Sequence, residues 1–450
     1  MAIAVQESKV ANITETLLST FFEVLHTANL PFVILRNYEH LPKQIGNDLD
    51  ILIDDLDRVN VEARLRKAAE DHSFKWVNRA EFSPISLFAV HRETDLQLHF
   101  DLFTSLKWRG FDILMPRNIL QLRQKRGDLF ILHPVYEAAL NLLTRLLYHG
   151  YIKEKYKPGI LKAFSGNPEM AKVVLAEPFG MQTAKELVEL VLAEHWTSIE
   201  SATARLRRLL IFRRLRNTPV RVLTSIVADI KRLFQRFIVP PGLMIVMLGP
   251  DGSGKSTIAE TVMDKLSPTF EKEKSRYFHW KPSVFRSRAS SSAPVTNPHE
   301  KPTRNLFVST LYLLYHWLDF ILGSQLLLRP ILFRNSLVVV DRYFLDLFVD
   351  PKRYRLNLPN WLLKTAYRFI MKPDLVIVLE APSEVLQQRK QEVPLDETER
   401  QRKAYLDLAK QLPNSHVIDA SQALEQVVTD VKNIALTYLA ERTQKRLGIP

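Results

Sequence analysis

Apolar residues gather in the C-terminal half into five strand-like runs: Leu243–Leu248, Ser275–His279, Leu337–Val340, Leu375–Leu379 and His416–Asp419. Helical patterns separate them. Short buried runs alternating with helices predict a parallel sheet covered on both faces, with ligands held at the carboxyl ends of its strands. In the N-terminal half, Pro31–Leu35 and Leu49–Ile53 read as strands. Leu96–Leu102 alternates with period two, and Val135–His149 follows with helical spacing. The expectation is an α/β C-terminal domain preceded by an α+β domain.

Between the halves, Leu223, Ile226, Val227, Ile230, Phe234 and Phe237 recur at helical spacing and leave Lys231, Arg232 and Arg236 on another face. This is a basic amphipathic helix. From Arg205 to Arg236 there are ten Lys/Arg against the single acid Asp229, so this segment supplies +9 of the net +13. Three uses compete for it: a connector packed on a neighbour, a membrane-surface helix, or a nucleic-acid patch. Stacking aromatics are not interleaved with the charges, so no specific nucleic-acid partner is expected. Peripheral membrane contact stays open beside the connector reading. Pro240-Pro241-Gly242 closes the segment, giving domains at 1–200, 201–240 and 241–450.

The most apolar stretch, Leu311–Phe333, is broken by His316, Asp319, Arg329 and Pro330. An ionised Asp is costly in lipid, so a buried helix is expected there rather than a membrane span.

At 450 residues, with 46% hydrophobic and 25% charged residues, the chain has the composition of soluble globular protein in roughly two to three domains. The absence of cysteine excludes disulfides, thiolate metal sites and cysteine nucleophiles. The first residues lack a basic and then apolar secretion pattern, so a cytoplasmic location is expected. His133, His149 and His279 have no second ligand at metal spacing and read as structural.

Gly249-Pro-Asp-Gly-Ser-Gly-Lys-Ser-Thr257 lies directly behind the first C-terminal strand and in front of a helix. The match to G-x-x-x-x-G-K-[ST] predicts a phosphate cradle. Gly249, Asp251, Gly252, Ser253, Gly254 and Thr257 shape the loop, Lys255 reaches the β- and γ-phosphates, and the Ser256 hydroxyl takes a place on Mg²⁺. ATP and Mg²⁺ are the expected cofactors. Asp341-Arg342-Tyr343 follows the strand Leu337–Val340, placing a carboxylate for the metal and a guanidinium for phosphate oxygens. Position favours Arg389 as a further cation for a phosphoryl group in transfer, while Lys390 and Arg402 read as solvated.

GPDGSGKST, DRYFLD, PDLVIVLEAPSEVLQQRKQE and HVIDASQ, in that order, resemble the thymidylate kinase branch of the P-loop nucleoside monophosphate kinases over about Leu243–Leu439. The resemblance implies that Asp251 contacts the acceptor sugar, Arg342 holds the acceptor phosphate, Arg389 lies in the lid and Asp341 stands near the metal. Two departures weaken the dTMP assignment. His279-Trp280-Lys281-Pro282 replaces the arginine-containing acceptor motif and leads into a Ser- and Pro-rich insertion, Ser283–Pro302, read as a flexible loop. Tyr312–Gln325 lacks the base-recognition pattern, although Tyr315 and Asp319 are placed to line that site.

In the N-terminal half, Asp48-x-Asp50 at a strand and Asp101 on a later strand resemble the polymerase-β-like nucleotidyltransferases over about Leu30–Tyr156. Three carboxylates from two strands suit metal ions that hold a triphosphate. Arg36-Asn37 stands where that family carries a Gly-Ser pair.

The expectation is therefore a P-loop kinase with a five-stranded parallel sheet, preceded by an α+β nucleotidyltransferase-like domain and acting on nucleotide substrates, dTMP first. Lys255, Arg342 and Arg389 would carry the transferring charge. A kinase for a sugar or lipid-linked metabolite, a bifunctional enzyme, and a non-catalytic nucleotide-binding regulatory module are the rivals. The oligomeric state is left open, a homodimer being one option.

Overall fold

The computed structural model describes residues 2–82, 84–94, 96–270, 272–284, 302–391 and 393–447. Most of the Ser- and Pro-rich insertion expected as a flexible loop, 285–301, lies outside the described residues. The chain divides into two compact units, Met1–Phe234 and Gln235–Pro450. The division falls inside the helix Pro219–Ile238, so the basic helix Thr203–Asn217 belongs to the first unit, where Leu206 and Leu210 join the core.

In the first unit the strands are β1 (Phe32–Ile34), β2 (Leu49–Ile53), β3 (Phe74–Glu81), β4 (Ile85–His91), β5 (Gln97–Phe103), β6 (Leu106–Trp108), β7 (Phe111–Leu114), β8 (Gln124–Arg126) and β9 (Leu129–Ile131). Seven of them form a mixed sheet in the order β3-β4-β5-β2-β1-β9-β8, and β6 and β7 form a separate hairpin. Leu17, Leu18, Phe21 and Phe22 of the helix Ala2–Thr27 cover one face of the sheet together with Val61 and Leu65. On the other, Val33 and Leu52 pack into a helical core that includes Leu142, Leu146 and Leu175. The parallel pair β2/β5 sets Asp50 opposite Asp101, and the antiparallel pair β4/β5 sets Ser86 opposite Asp101.

The second unit contains β10 (Leu243–Leu248), β11 (Arg276–His279), β12 (Leu337–Asp341), β13 (Leu375–Glu380) and β14 (Ser415–Asp419), all parallel, in the order β11-β12-β10-β13-β14. The central three are buried except at Glu380, as their unbroken apolar runs require. The helix Lys255–Leu266 packs with the helix Leu424–Leu447, while Leu313, Phe320, Leu328 and Leu332 pack against Val338 and Val340.

The stretch expected as a buried helix is buried on one face only. It runs as a helix Leu306–Gly323, a π turn Ser324–Leu328 and a helix Arg329–Phe333, long and apolar enough by composition to cross a membrane. Leu313 and Phe320 enter the core, while Phe307, Leu311, Leu314 and Leu318 are exposed. Asp319, which argued against a lipid setting, is fully buried and bonded within the protein.

Candidate active site

Three strand ends converge in the second unit. β10 gives way to Gly249, β11 to Trp280 and β12 to Arg342. Arg342 N–H donates to the Met247 carbonyl at 2.9 Å, and Trp280 N–H to the Asp341 carbonyl at 2.7 Å. Gly249 has φ +144°, and a Cβ there would strike the Leu379 carbonyl. Gly252 has φ +84°, and a Cβ would stand 2.7 Å from the Leu386 carbonyl oxygen. The loop therefore needs glycine at both positions.

Lys255 opens the helix behind the loop, and its buried Nζ donates to the carbonyls of Gly249 at 2.9 Å and Pro250 at 2.8 Å. Burial, helped by the Arg342 charge, lowers its pKa. The Ser256 hydroxyl lies 3.3 Å from Asp341 Oδ2, which also accepts from Tyr277 at 3.1 Å. Burial alone would raise the Asp341 pKa, but the His279 hydrogen bond and the charges of Lys255 and Arg342 hold it below the ordinary value. His279 thus has a polar partner that its sequence spacing did not reveal.

These residues fit a nucleotide phosphate chain with Mg²⁺. Asp341 keeps Oδ1 buried and unpaired among the described residues, and the Ser256 hydroxyl stands beside its other oxygen. A metal held by this pair would neutralise phosphate charge.

Beside the loop lies a buried ion network. Asp251 accepts from both Arg342 and Arg353, Arg342 Nη1 reaches Asp346 at 3.6 Å, and Arg353 Nε reaches Asp350 at 3.4 Å. Asp346 also accepts from Tyr354 at 2.6 Å and from Tyr405. Burial opposes the Arg342 charge, but Asp346 and Asp251 raise its pKa well above the usual value. Arg342 and Tyr343 have φ of 78° and 49°, left-handed values that bulky residues rarely adopt. Arg353 and Tyr354, which complete the network, were not singled out from sequence. Only the acid-then-base run Asp350-Pro-Lys-Arg353 hinted at them.

Next to the network is an aromatic cluster. Trp280 stacks on Tyr354 at 5.0 Å between centroids and meets His316 edge-on at 4.8 Å. Lys281 Nζ lies 2.5 Å from Asp319 Oδ2 and 2.8 Å from His316 Nδ1. Burial, then the Lys281 charge, pushes the His316 pKa down to about 3.

Arg389 ends the helix Ser383–Arg389 and donates Nη1 to the Ala420 carbonyl at 2.8 Å. Lys390, one residue on, has its Cβ 3.4 Å from where a Gly252 Cβ would stand. Arg402 is paired with Glu380 at 2.5 Å and with Glu399 at 3.2 Å rather than simply solvated.

In the first unit Asp48, Asp50 and Asp101 each bring a carboxylate oxygen to within 4.8 Å of the others. Arg36 bonds Asp50 and reaches Asp48 at 3.3 Å, while Asp101 Oδ1 accepts from Ser86 at 2.6 Å and lies 3.0 Å from His99 Nε2. Burial raises the Asp50 pKa against the pull of Arg36, and Asp50 Oδ1 is unpaired among the described residues.

The glycine loop, the carboxylate of Asp341 beside Ser256 and the five-stranded parallel sheet define the second unit as a P-loop kinase domain, a phosphotransferase that uses ATP and Mg²⁺. Within that class, residues 248–431 match the family model for thymidylate kinase, a stretch wholly inside the second unit and under half of the chain. The thymidylate kinase of Xanthomonas campestris pv. campestris (strain B100) is 27% identical over 218 residues, 46% of this chain and 88% of the relative. That of Xylella fastidiosa (strain M23) is 27% identical over 222 residues, 47% of this chain and 93% of the relative. The crystal structure of thymidylate kinase from Ehrlichia chaffeensis aligns over 43% of this chain and 99% of that one, at 17% identity and a TM-score of 0.31.

Proposed function

We propose that the second unit transfers the γ-phosphoryl group of ATP to a nucleoside monophosphate, with dTMP as the acceptor. The observation that carries this reading is the pairing of Asp251 with Arg342 and Arg353 directly beside the phosphate loop. Arg342 and Arg353 supply guanidiniums for an acceptor phosphate, and Asp251 orients them and offers a carboxylate to a sugar hydroxyl. Lys255 and the loop amides hold the donor phosphates, and Ser256 and Asp341 hold the metal. A phosphate oxyanion attacks without help, so no protein base is required. The thymidylate kinases among the relatives support the choice of acceptor; Trp280-Lys281 is where this chain departs from them.

The test is incubation of the full chain with Mg·ATP and a panel of nucleoside monophosphates and sugar phosphates, following products by mass with Lys255→Ala as control. Formation of dTDP, lost in the variant, is expected. ADP without a phosphorylated nucleotide would overturn the reading and favour another small metabolite beside Trp280 and Lys281.

For the first unit we propose a nucleotidyltransferase-like domain whose Asp48, Asp50 and Asp101 hold a divalent cation. Their convergence supports it. Thermal shift of the full chain with Mn²⁺ or Mg²⁺ tests it, and equal shifts in wild type and Asp101→Asn would refute it.

A further inference from the structure

The helix Pro219–Ile238 leaves most of its apolar side chains exposed to water. Most surface helices do the reverse. Its inner face carries Val222 and Ser225, both buried; the half-exposed Arg221 bonds Asp112 at 2.8 Å, and Arg232 bonds Asp229 and reaches the Phe82 carbonyl at 3.5 Å. Outward, Val220 is 72% exposed, Leu223 63%, Val227 56%, Ile230 60% and Phe234 64%. These positions fall three and four residues apart, so they form one continuous stripe. Lys231, exposed, borders the stripe, and on the preceding helix Arg208, Arg216, Phe212 and Leu215 are also exposed. The one acid of the segment, Asp229, is turned onto Arg232.

We propose that this face lies flat on an anionic lipid surface. An apolar stripe with Lys231 on its border, and with the segment's one acid neutralised by Arg232, is complementary to acyl chains beneath negative headgroups. A second copy fits it less well, because a two-fold contact on this stripe would bring two copies of Lys231 near one another. Nucleic acid does not call for a stripe of Val, Leu and Ile.

The test is co-sedimentation of the full chain with vesicles of phosphatidylcholine alone and of an equal mixture with phosphatidylserine. Binding to the mixed vesicles, weakened by salt and much poorer on phosphatidylcholine, is expected. Leu223→Glu/Ile230→Glu, both outward-facing, should lose roughly a hundredfold in partitioning with the thermal midpoint retained. Arg216→Gln/Lys231→Gln, which leaves the stripe intact, should lose up to about thirtyfold on mixed vesicles only. No binding to either vesicle overturns the proposal, as does wild-type binding by the stripe variant. A stripe variant that binds lipid unchanged but falls from dimer to monomer by light scattering assigns the face to a second copy instead. Should the stripe variant lose its thermal midpoint, the charge variant decides, and its wild-type binding overturns the proposal.

Discussion

Ser256 Oγ stands 3.3 Å from Asp341 Oδ2, so the hydroxyl in the first turn behind the phosphate loop and the carboxylate that ends β12 meet at one point. The parallel pairing of β10 with β12 sets this up, because Met247 is opposite Asp341 just before β10 gives way to the loop. Asp341→Asn keeps the shape and removes the charge. It is expected to lower kcat by about 10²–10³-fold and to raise the Mg²⁺ concentration for half-maximal rate. ADP formation across a Mg²⁺ titration checks this; an unaltered Mg²⁺ dependence would contradict the metal role.

Asp251 neutralises two guanidiniums in a nearly closed site, with side-chain exposures of 8% for Asp251, 10% for Arg342 and 18% for Arg353. Removing one partner of a buried ion group costs about 3–5 kcal/mol, mostly through the charges left behind. Asp251→Ala should therefore lower the thermal midpoint and raise the acceptor KM. Adding Arg353→Met should return part of the stability but none of the acceptor affinity. Thermal unfolding and steady-state kinetics of the two variants separate the effects.

What was legible in the chain follows from range. The phosphate loop, the five parallel strands and the strand-end Asp341-Arg342 announce themselves by local patterns of a few residues. The partner of Asp251 did not: Arg353 lies on a loop whose only local sign is a short run of charge, and the fold alone brings it to the phosphate loop. The helix Leu306–Gly323 shows the same limit. Its periodicity marks an apolar face, but only the packing shows that Phe320 goes inward while Phe307 and Leu311 face solvent. The helix Pro219–Ile238 departs from the usual assignment, since Arg221 reaches across to Asp112 and Arg232 toward the Phe82 carbonyl while Leu223 and Ile230 are exposed.

His316 accepts at Nδ1 from Lys281 Nζ, so the ring must be neutral. Burial and the lysine charge hold its pKa at about 3, below the unfolded value of about 6.5. The unfolded chain therefore takes up a proton at a higher pH than the folded one. Stability is fully present above about pH 6.5 and falls as pH drops toward 3, by at most about 1.4 kcal/mol per unit from this group. Thermal midpoints between these limits should fall less steeply in His316→Gln than in wild type. Parallel curves would show that another group sets the acid sensitivity.

Arg36 already supplies a positive charge to the acid cluster of the first unit, bonding Asp50 and standing 3.3 Å from Asp48. A divalent cation and this guanidinium compete for the same oxygens. Arg36→Ala leaves three carboxylates together, one of them almost fully buried, so the variant should be less stable than wild type without metal. Mn²⁺ should then restore it and shift its midpoint more than that of wild type, since binding to the folded state adds stability as the logarithm of one plus the metal concentration over its Kd. Asp101→Asn in the same background should abolish the extra shift. Restoration by high salt as effective as Mn²⁺ would mean that the cluster needs only diffuse screening, and that Arg36 serves there as a structural counter-ion.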